Sequence, residues 1–238
     1  MNENNRNHSL RESLLRRTAR EVRGYNRTMR ILSCALGMML VVTSLMFVVS
    51  ALYSESGSFT VSVNKVEMSK YGLSLSESLD MTHMTSQLNA KINESITNIA
   101  EESIPENVDR IDGVHNGENY IAFTFYLINR GEVEVPVDYA VNMTNITSGL
   151  DEAVRLKLYV NGEPTVYAKT RTDGTGAEPG TVEFFSANVM AKGRIDNLQP
   201  GEMVKYTIVL WIEGNDPDCL DPLIGGQIKA EMTFNVVH

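Results

Sequence analysis

Residues Tyr120–Met143, YIAFTFYLINRGEVEVPVDYAVNM, decide the fold class. Tyr120–Ile128 is apolar on both faces, as expected for a strand in the middle of a covered sheet. Asn129-Arg130-Gly131-Glu132 is a turn. Val133, Val135, Val137, Tyr139, Val141 and Met143 then alternate with smaller or polar residues, the period of two that marks a half-buried strand. Pro136 has no N–H to give a ladder, so an edge position or a bulge is expected there.

The same signals continue on both sides. Upstream, Phe59, Val61 and Val63 alternate with Thr60, Ser62 and Asn64. Downstream, Leu156, Leu158 and Val160 lead into Asn161-Gly162 and return at Val166–Ala168. Asn-Gly supplies the positive φ angles of a type I′ hairpin turn. Gln199-Pro200-Gly201-Glu202 suits a type II turn and opens Val204, Tyr206, Ile208 and Leu210. The run Ile228, Ala230, Met232, Phe234 and Val236 closes the chain. Seven or eight strands with such turns predict a mainly β protein, a jelly-roll-like or Ig-like sandwich over residues 59–238. One inserted amphipathic helix is expected near 81–104. There Met84, Leu88, Ile92, Ile96 and Ile99 recur at helical spacing, between Asp80 as a cap and Pro105.

The 238 residues carry a net charge of -9 that is unevenly spread. Residues 1–30 hold eight Arg and three Glu, a net of +5, and 31–53 hold no charge. Residues 54–238 hold 13 basic and 27 acidic side chains, a net of -14. Ile31–Tyr53, ILSCALGMMLVVTSLMFVVSALY, is long enough as a helix to cross a bilayer. The Arg-rich residues 1–30 read as a cytoplasmic tail by the positive-inside rule. Residues 54–58 form a short stalk. Val49-Ser50-Ala51 also fits a signal peptidase site with a cut after Ala51. The chain is thus expected at the cell membrane as a single-pass protein with its C-terminal domain outside, or secreted after cleavage. An acidic exported domain does not suit a nucleic-acid partner.

Catalytic patterns are missing from the sequence. There is no HExxH, no Gly-x-Ser-x-Gly and no phosphate-cradling glycine loop. His115 lies in a loop-like stretch. Cys34 belongs to the apolar segment and Cys219 to the exported part, so no internal disulfide is available. Cys219 is either a buried thiol or one open to a second chain. The densest cluster is Trp211-Ile212-Glu213-Gly214-Asn215-Asp216-Pro217-Asp218-Cys219-Leu220-Asp221, followed by Gly225-Gly226. Glu213, Asp216, Asp218 and Asp221 are hard oxygen ligands of the kind calcium takes, at a spacing that is not an EF-hand. The competing reading is an acidic loop whose Asp side chains cap their own turns.

The block from Trp211 to Gly226, with the strand IKAEMTFNV after it, resembles exported Gram-positive proteins of the TasA/camelysin group. The resemblance extends over residues 30–65 and 118–238. It implies a jelly-roll-like sandwich, a long signal segment processed by a SipW-type signal peptidase, and a role as a fibre-forming biofilm matrix protein. The peptidase assignment attached to camelysin finds no zinc motif here. Together these readings predict a non-catalytic envelope or matrix protein that binds other envelope components or itself. Phe59, Val61 and Val63, in an uncharged strand without proline after a polar stalk, are expected at an undefended sheet edge and are its candidate assembly strand. The alternative is a membrane-anchored metal-dependent hydrolase using scattered carboxylates and His115.

Overall fold

The structure, a computed structural model, describes residues 29–48, 58–91 and 96–237. It divides into two compact units, residues 1–54 and 55–238. The Arg-rich flank upstream of residue 29, the cut after Ala51 and most of the stalk lie outside the described residues. The first unit contains the apolar helix α1, Met29–Val48. Its 20 residues rise about 30 Å, the thickness of a bilayer's hydrocarbon core. Thr43 satisfies its hydroxyl within the helix, donating to the carbonyls of Met39 and Leu40. By length and composition α1 is apolar enough to serve as a signal anchor or to cross a membrane.

The second unit is a sandwich of two sheets. Its strands are β1 (Ser58–Val63), β2 (Leu73–Ser76), β3 (Gln87–Lys91), β4 (Gly113–Val114), β5 (Tyr120–Asn129), β6 (Val135–Ile146), β7 (Val154–Val160), β8 (Glu163–Ala168), β9 (Val182–Glu183), β10 (Val189–Leu198), β11 (Met203–Ile212) and β12 (Ile228–Val236). One sheet runs β10-β6-β12-β1-β3, and the other runs β2-β5-β11-β7-β8-β9 with β4 also on β5. Their inner faces meet in one core, centred on Phe125, Tyr206 and Phe234. The Phe125 and Tyr206 rings stack at 5.6 Å, and Phe234 meets Tyr206 edge-on at 5.2 Å.

The turn chemistry appears as expected. Asn161 and Gly162 have φ of 52° and 89°, as a type I′ hairpin requires, and Gly201 sits at 79° in the Pro-Gly turn. Pro136 lies opposite a bulge. The register of β6 with β10 slips between Ile195 and Leu198, so no ladder bond is needed from the proline nitrogen.

Why β5 is apolar on both faces also becomes clear. Ile121, Phe123, Phe125 and Leu127 face the main core. On the outer side Ala122 joins Val209, Trp211 and Tyr159 in a second cluster, under Ile104 and Val108 of the segment between β3 and β4. That segment is a strap across the outer face of the seven-stranded sheet. The Tyr126 hydroxyl fastens it by donating to Asp112 at 2.6 Å, and Lys157 pairs with Glu101 at 2.9 Å.

Two expectations are corrected. No helix occupies the described part of 81–104. Met81 takes a positive φ of 54°, residues 87–91 form β3, and Glu101–Ser103 is a single 3-10 turn. Residues 92–95 lie outside the described residues. Leu88 and Ala90 both point inward, the period of two, because pairing with β1 offers a core face that overrides the helical spacing. The inserted helix is instead α2, Lys65–Tyr71, capped by the Asn64 side chain on the Val66 N–H and ended by Gly72 at φ 72°. Second, β1 is not an edge. It lies between β12, to which it runs parallel, and β3, antiparallel, with Phe59, Val61 and Val63 buried.

The strand at 87–91 makes opposite demands on neighbouring positions. Ala90→Glu, which would be tolerated on the polar side of the expected helix, should cost about 3 kcal/mol by burying an unpaired carboxylate. Asn89→Glu, on the exposed face, should stay within about 0.5 kcal/mol. Urea denaturation of the two variants checks this. Equal stabilities would favour a helix.

Candidate functional site

The cluster from Trp211 to Gly226 forms the β11–β12 connection, and its carboxylates have separate tasks. Trp211 is the last large side chain of β11 on the outer face, fully buried in the second cluster. Its indole N–H donates to Glu213 Oε2 at 2.9 Å. The same oxygen accepts the Glu101 N–H at 3.1 Å, and Oε1 accepts the Asn215 N–H at 3.0 Å. Glu213 therefore ties the loop to the strap. Backbone bonds reinforce this: Ile99 N–H donates to Ile212, and Gly214 N–H donates to Ile99.

Asp216 points elsewhere. It is buried and paired with Arg155 of β7, whose side chain is 2% exposed. Asp216 Oδ1 also accepts the Asp218 N–H at 2.7 Å. Arg155 sits on the outer face directly across from Trp211 in the ladder, so the tryptophan helps shield the pair. Asp218 reaches a third element. It accepts the Thr172 N–H at 3.0 Å and hydroxyl at 2.5 Å. The Thr172 hydroxyl, more than any other contact, holds the Asp218 carboxyl below its ordinary 3.8. With the folded value depressed, this clip contributes stability above the unfolded value and is lost as pH falls through the lower folded one. Asp221 is exposed at the start of a 3-10 turn, Asp221–Leu223.

The four proposed calcium ligands are thus close in sequence, but Glu213, Asp216 and Asp218 are turned to different protein donors and Asp221 is exposed. Among the described residues no group of three or more His, Cys, Asp or Glu side chains is placed to hold a metal ion. Of the four, three serve as tethers: Glu213 to the strap, Asp216 to β7, and Asp218 to the β8–β9 connection. His115, the remaining candidate for hydrolytic chemistry, has its Nδ1 2.8 Å from the Gly113 carbonyl and its Nε2 2.7 Å from that of Val108. It braces the strap.

Cys219 is half-buried, between the two alternatives expected for it. Asn98 donates to its sulfur at 3.6 Å. Burial, with Asp216 and Glu213 nearby, pushes the thiol up, so it is not an activated thiolate. At the far end of the loop, a Cβ on Gly226 would come within 2.9 Å of the Leu223 carbonyl oxygen and 3.1 Å of that of Thr147, which fits only glycine closely.

Sequence reasoning missed the partners, namely Arg155, Thr172, Asn98 and the Glu101 backbone. Only Arg155 left a signal, as a cation between Val154 and Leu156 in an apolar strand. A buried arginine needs a carboxylate nearby.

Two outcomes follow from this geometry. Arg155→Met alone should cost about 3–5 kcal/mol, because Asp216 is left buried and unpaired, whereas Arg155→Met with Asp216→Leu should cost less than the single change. Urea denaturation of the double-mutant cycle reads both. Millimolar calcium should leave Tm unchanged, since Glu213, Asp216 and Asp218 already have protein donors. A calcium-dependent rise that Asp216→Asn and Asp218→Asn abolish would instead show that the loop rearranges to bind the ion.

No protein-family model matches the chain, and no curated protein matches it. Solved structures that align include a selenomethionine-labelled β-glucosidase from Kluyveromyces marxianus, at 10% identity and a TM-score of 0.24. The alignment covers 67% of this chain and 17% of that one, and a likeness so slight carries no argument.

Proposed function

We propose that the chain is a non-catalytic structural or adhesive protein of the cell envelope or extracellular matrix, and that its sandwich self-associates by exchanging its first strand. The observation that carries this reading is the seat of β1. It is the first strand of the domain, it bears no charge, and it occupies an interior slot between β12 and β3.

The free sheet edges favour exchange over simple addition. β9 and β4 are two residues long. β2 meets Thr85 on its outer side. On β3, the Thr85 hydroxyl bonds both the N–H and the carbonyl of Gln87, and Asn116 bonds the carbonyl of Lys91. β10 carries two register slips and the charged Lys192, Arg194 and Asp196, with Arg194 paired to Asp138 at 2.5 Å. Short, bulged, charged or capped edges oppose the docking of a further strand. Exchange keeps every native pair and only changes which copy supplies β1. The resemblance to fibre-forming matrix proteins points the same way. In the anchored form α1 keeps the domain attached to a membrane. Removal of the segment by a signal peptidase after Ala51 would free β1 at the new N-terminus. The net -14 of the exported part opposes close approach of copies, so acid should promote assembly.

A reversible staple tests the exchange. Thr60 lies beside Glu231 in the β1–β12 register. Residues 52–238 with Thr60→Cys, Glu231→Cys and Cys219→Ser should stay monomeric when oxidised and form oligomers or fibres on concentration and acidification once reduced. Assembly of the oxidised protein, or a monomer under all these conditions, would overturn the proposal.

A further inference from the structure

The chain changes sheets between its first two strands. β1 belongs to the five-stranded sheet and β2 to the seven-stranded one, and α2 is the element that joins them. The two ends of α2 are held very differently. At its C-terminal end Tyr71 packs against the main core, and the Arg130 N–H donates to the Gly72 carbonyl at 3.1 Å. A Cβ on Gly72 would stand 2.5 Å from the Gly131 nitrogen, so the chain here lies directly against the β5–β6 turn. Leu73 and Leu75 follow, fully buried, where β2 pairs with β5. At the N-terminal end Asn64, Lys65 and Val66 are exposed, and the Asn64 side chain caps only the helix itself.

Between these ends little holds the helix. Its seven residues are about half the length at which a helix becomes even marginally stable alone in water, and none of them is buried. Val66 is 68% exposed. The Glu67 Oε2 atom is enclosed without a hydrogen-bond partner among the described residues, a cost that an unwound chain would recover in water. The helical state therefore rests on the Asn64 cap, the left-handed end at Gly72 and the seats of β1 and β2. Wound, seven residues span about 10 Å. Extended, they reach about 24 Å.

We propose that α2 is the hinge of the strand exchange: it unwinds into an extended connector as β1 passes to a second copy, while Tyr71, Gly72 and β2 stay in the first. The inference rests on strand exchange as the mode of assembly. Wound, α2 keeps β1 within reach of its own slot alone. Unwinding gives up no buried side chain and lengthens the tether enough to bridge two copies. The helix thus sets the barrier between monomer and assembly.

The test uses residues 52–238 with Cys219→Ser, which contain the whole second compact unit. Val66→Cys and Lys70→Cys are added, four residues apart on one side of the helix and exposed in the native protein. Bridging the two thiols with dibromo-m-xylene locks α2 wound, whereas capping them singly with iodoacetamide does not. On concentration and acidification the capped protein should assemble like the parent, and the bridged protein at least tenfold more slowly. Equal rates for bridged and capped protein, with the oxidised staple of Thr60→Cys and Glu231→Cys still blocking assembly, would overturn the hinge and leave the exchange standing. A capped protein as slow as the bridged one would mean that the side chains at 66 and 70 govern assembly, and would also overturn the hinge. Assembly of the oxidised staple, or of no form at all, would overturn the exchange and the hinge with it.

Discussion

The sandwich depends on β1 lying between β12 and β3. Five residue pairs in parallel register join it to β12, from Phe59↔Ala230 to Val63↔Phe234. Phe59, Val61 and Val63 enter the core beside Phe234 and Phe125. Without β1 the five-stranded sheet would break into β10-β6-β12 and an isolated β3. The main core would then lose three buried side chains. At about 1.5–3 kcal/mol for each large apolar side chain buried, that is a sizeable share of a domain's net stability. Nor does the rest of the chain make β1 redundant, because β12 and β3 have no other contact in the sheet order.

The acidic loop is explained by the same economy of contacts. The seven-stranded sheet would expose Ala122, Val209, Tyr159 and Trp211 if the strap did not cover them. Glu213 joins the strap to the loop, and Asp216 joins the loop to β7. A composition that looks like a ligand cluster thus arises from fastening two irregular segments over an apolar face. Glu213, Asp216 and Asp218 each satisfy backbone or side-chain donors that would otherwise be left without partners.

What could be read from the sequence was whatever depended on local geometry. The Asn161-Gly162 turn, the Pro200-Gly201 turn and the bulge opposite Pro136 all follow from φ requirements or a missing N–H, which belong to single residues. The two-sided apolarity of Tyr120–Ile128 correctly implied a covered sheet, though not that a strap covers it. The failures are tertiary. Met84, Leu88, Ile92, Ile96 and Ile99 fit a helix by spacing. Leu88 and Ala90 fit a strand just as well, and only pairing with β1 chooses between them. β1 itself looked like an edge because it is short, uncharged and preceded by a polar stalk. Its place between the last strand and β3 is set by contacts far away in sequence. The loop carboxylates were seen, but Arg155, Thr172 and Asn98 come from other strands and connections.

If β1 passes from one copy to the next, the β1–β12 pairs in an assembly must join two molecules. Solid-state NMR on fibres grown from an equal mixture of 15N-labelled and 13C-labelled chains reads this directly. Strand exchange predicts nitrogen–carbon cross-peaks between Val61 of one copy and Met232 of another, at the register found within the monomer. Fibres in which the two labels show no contact across this pair, with β1 and β12 still joined within each copy, would contradict it.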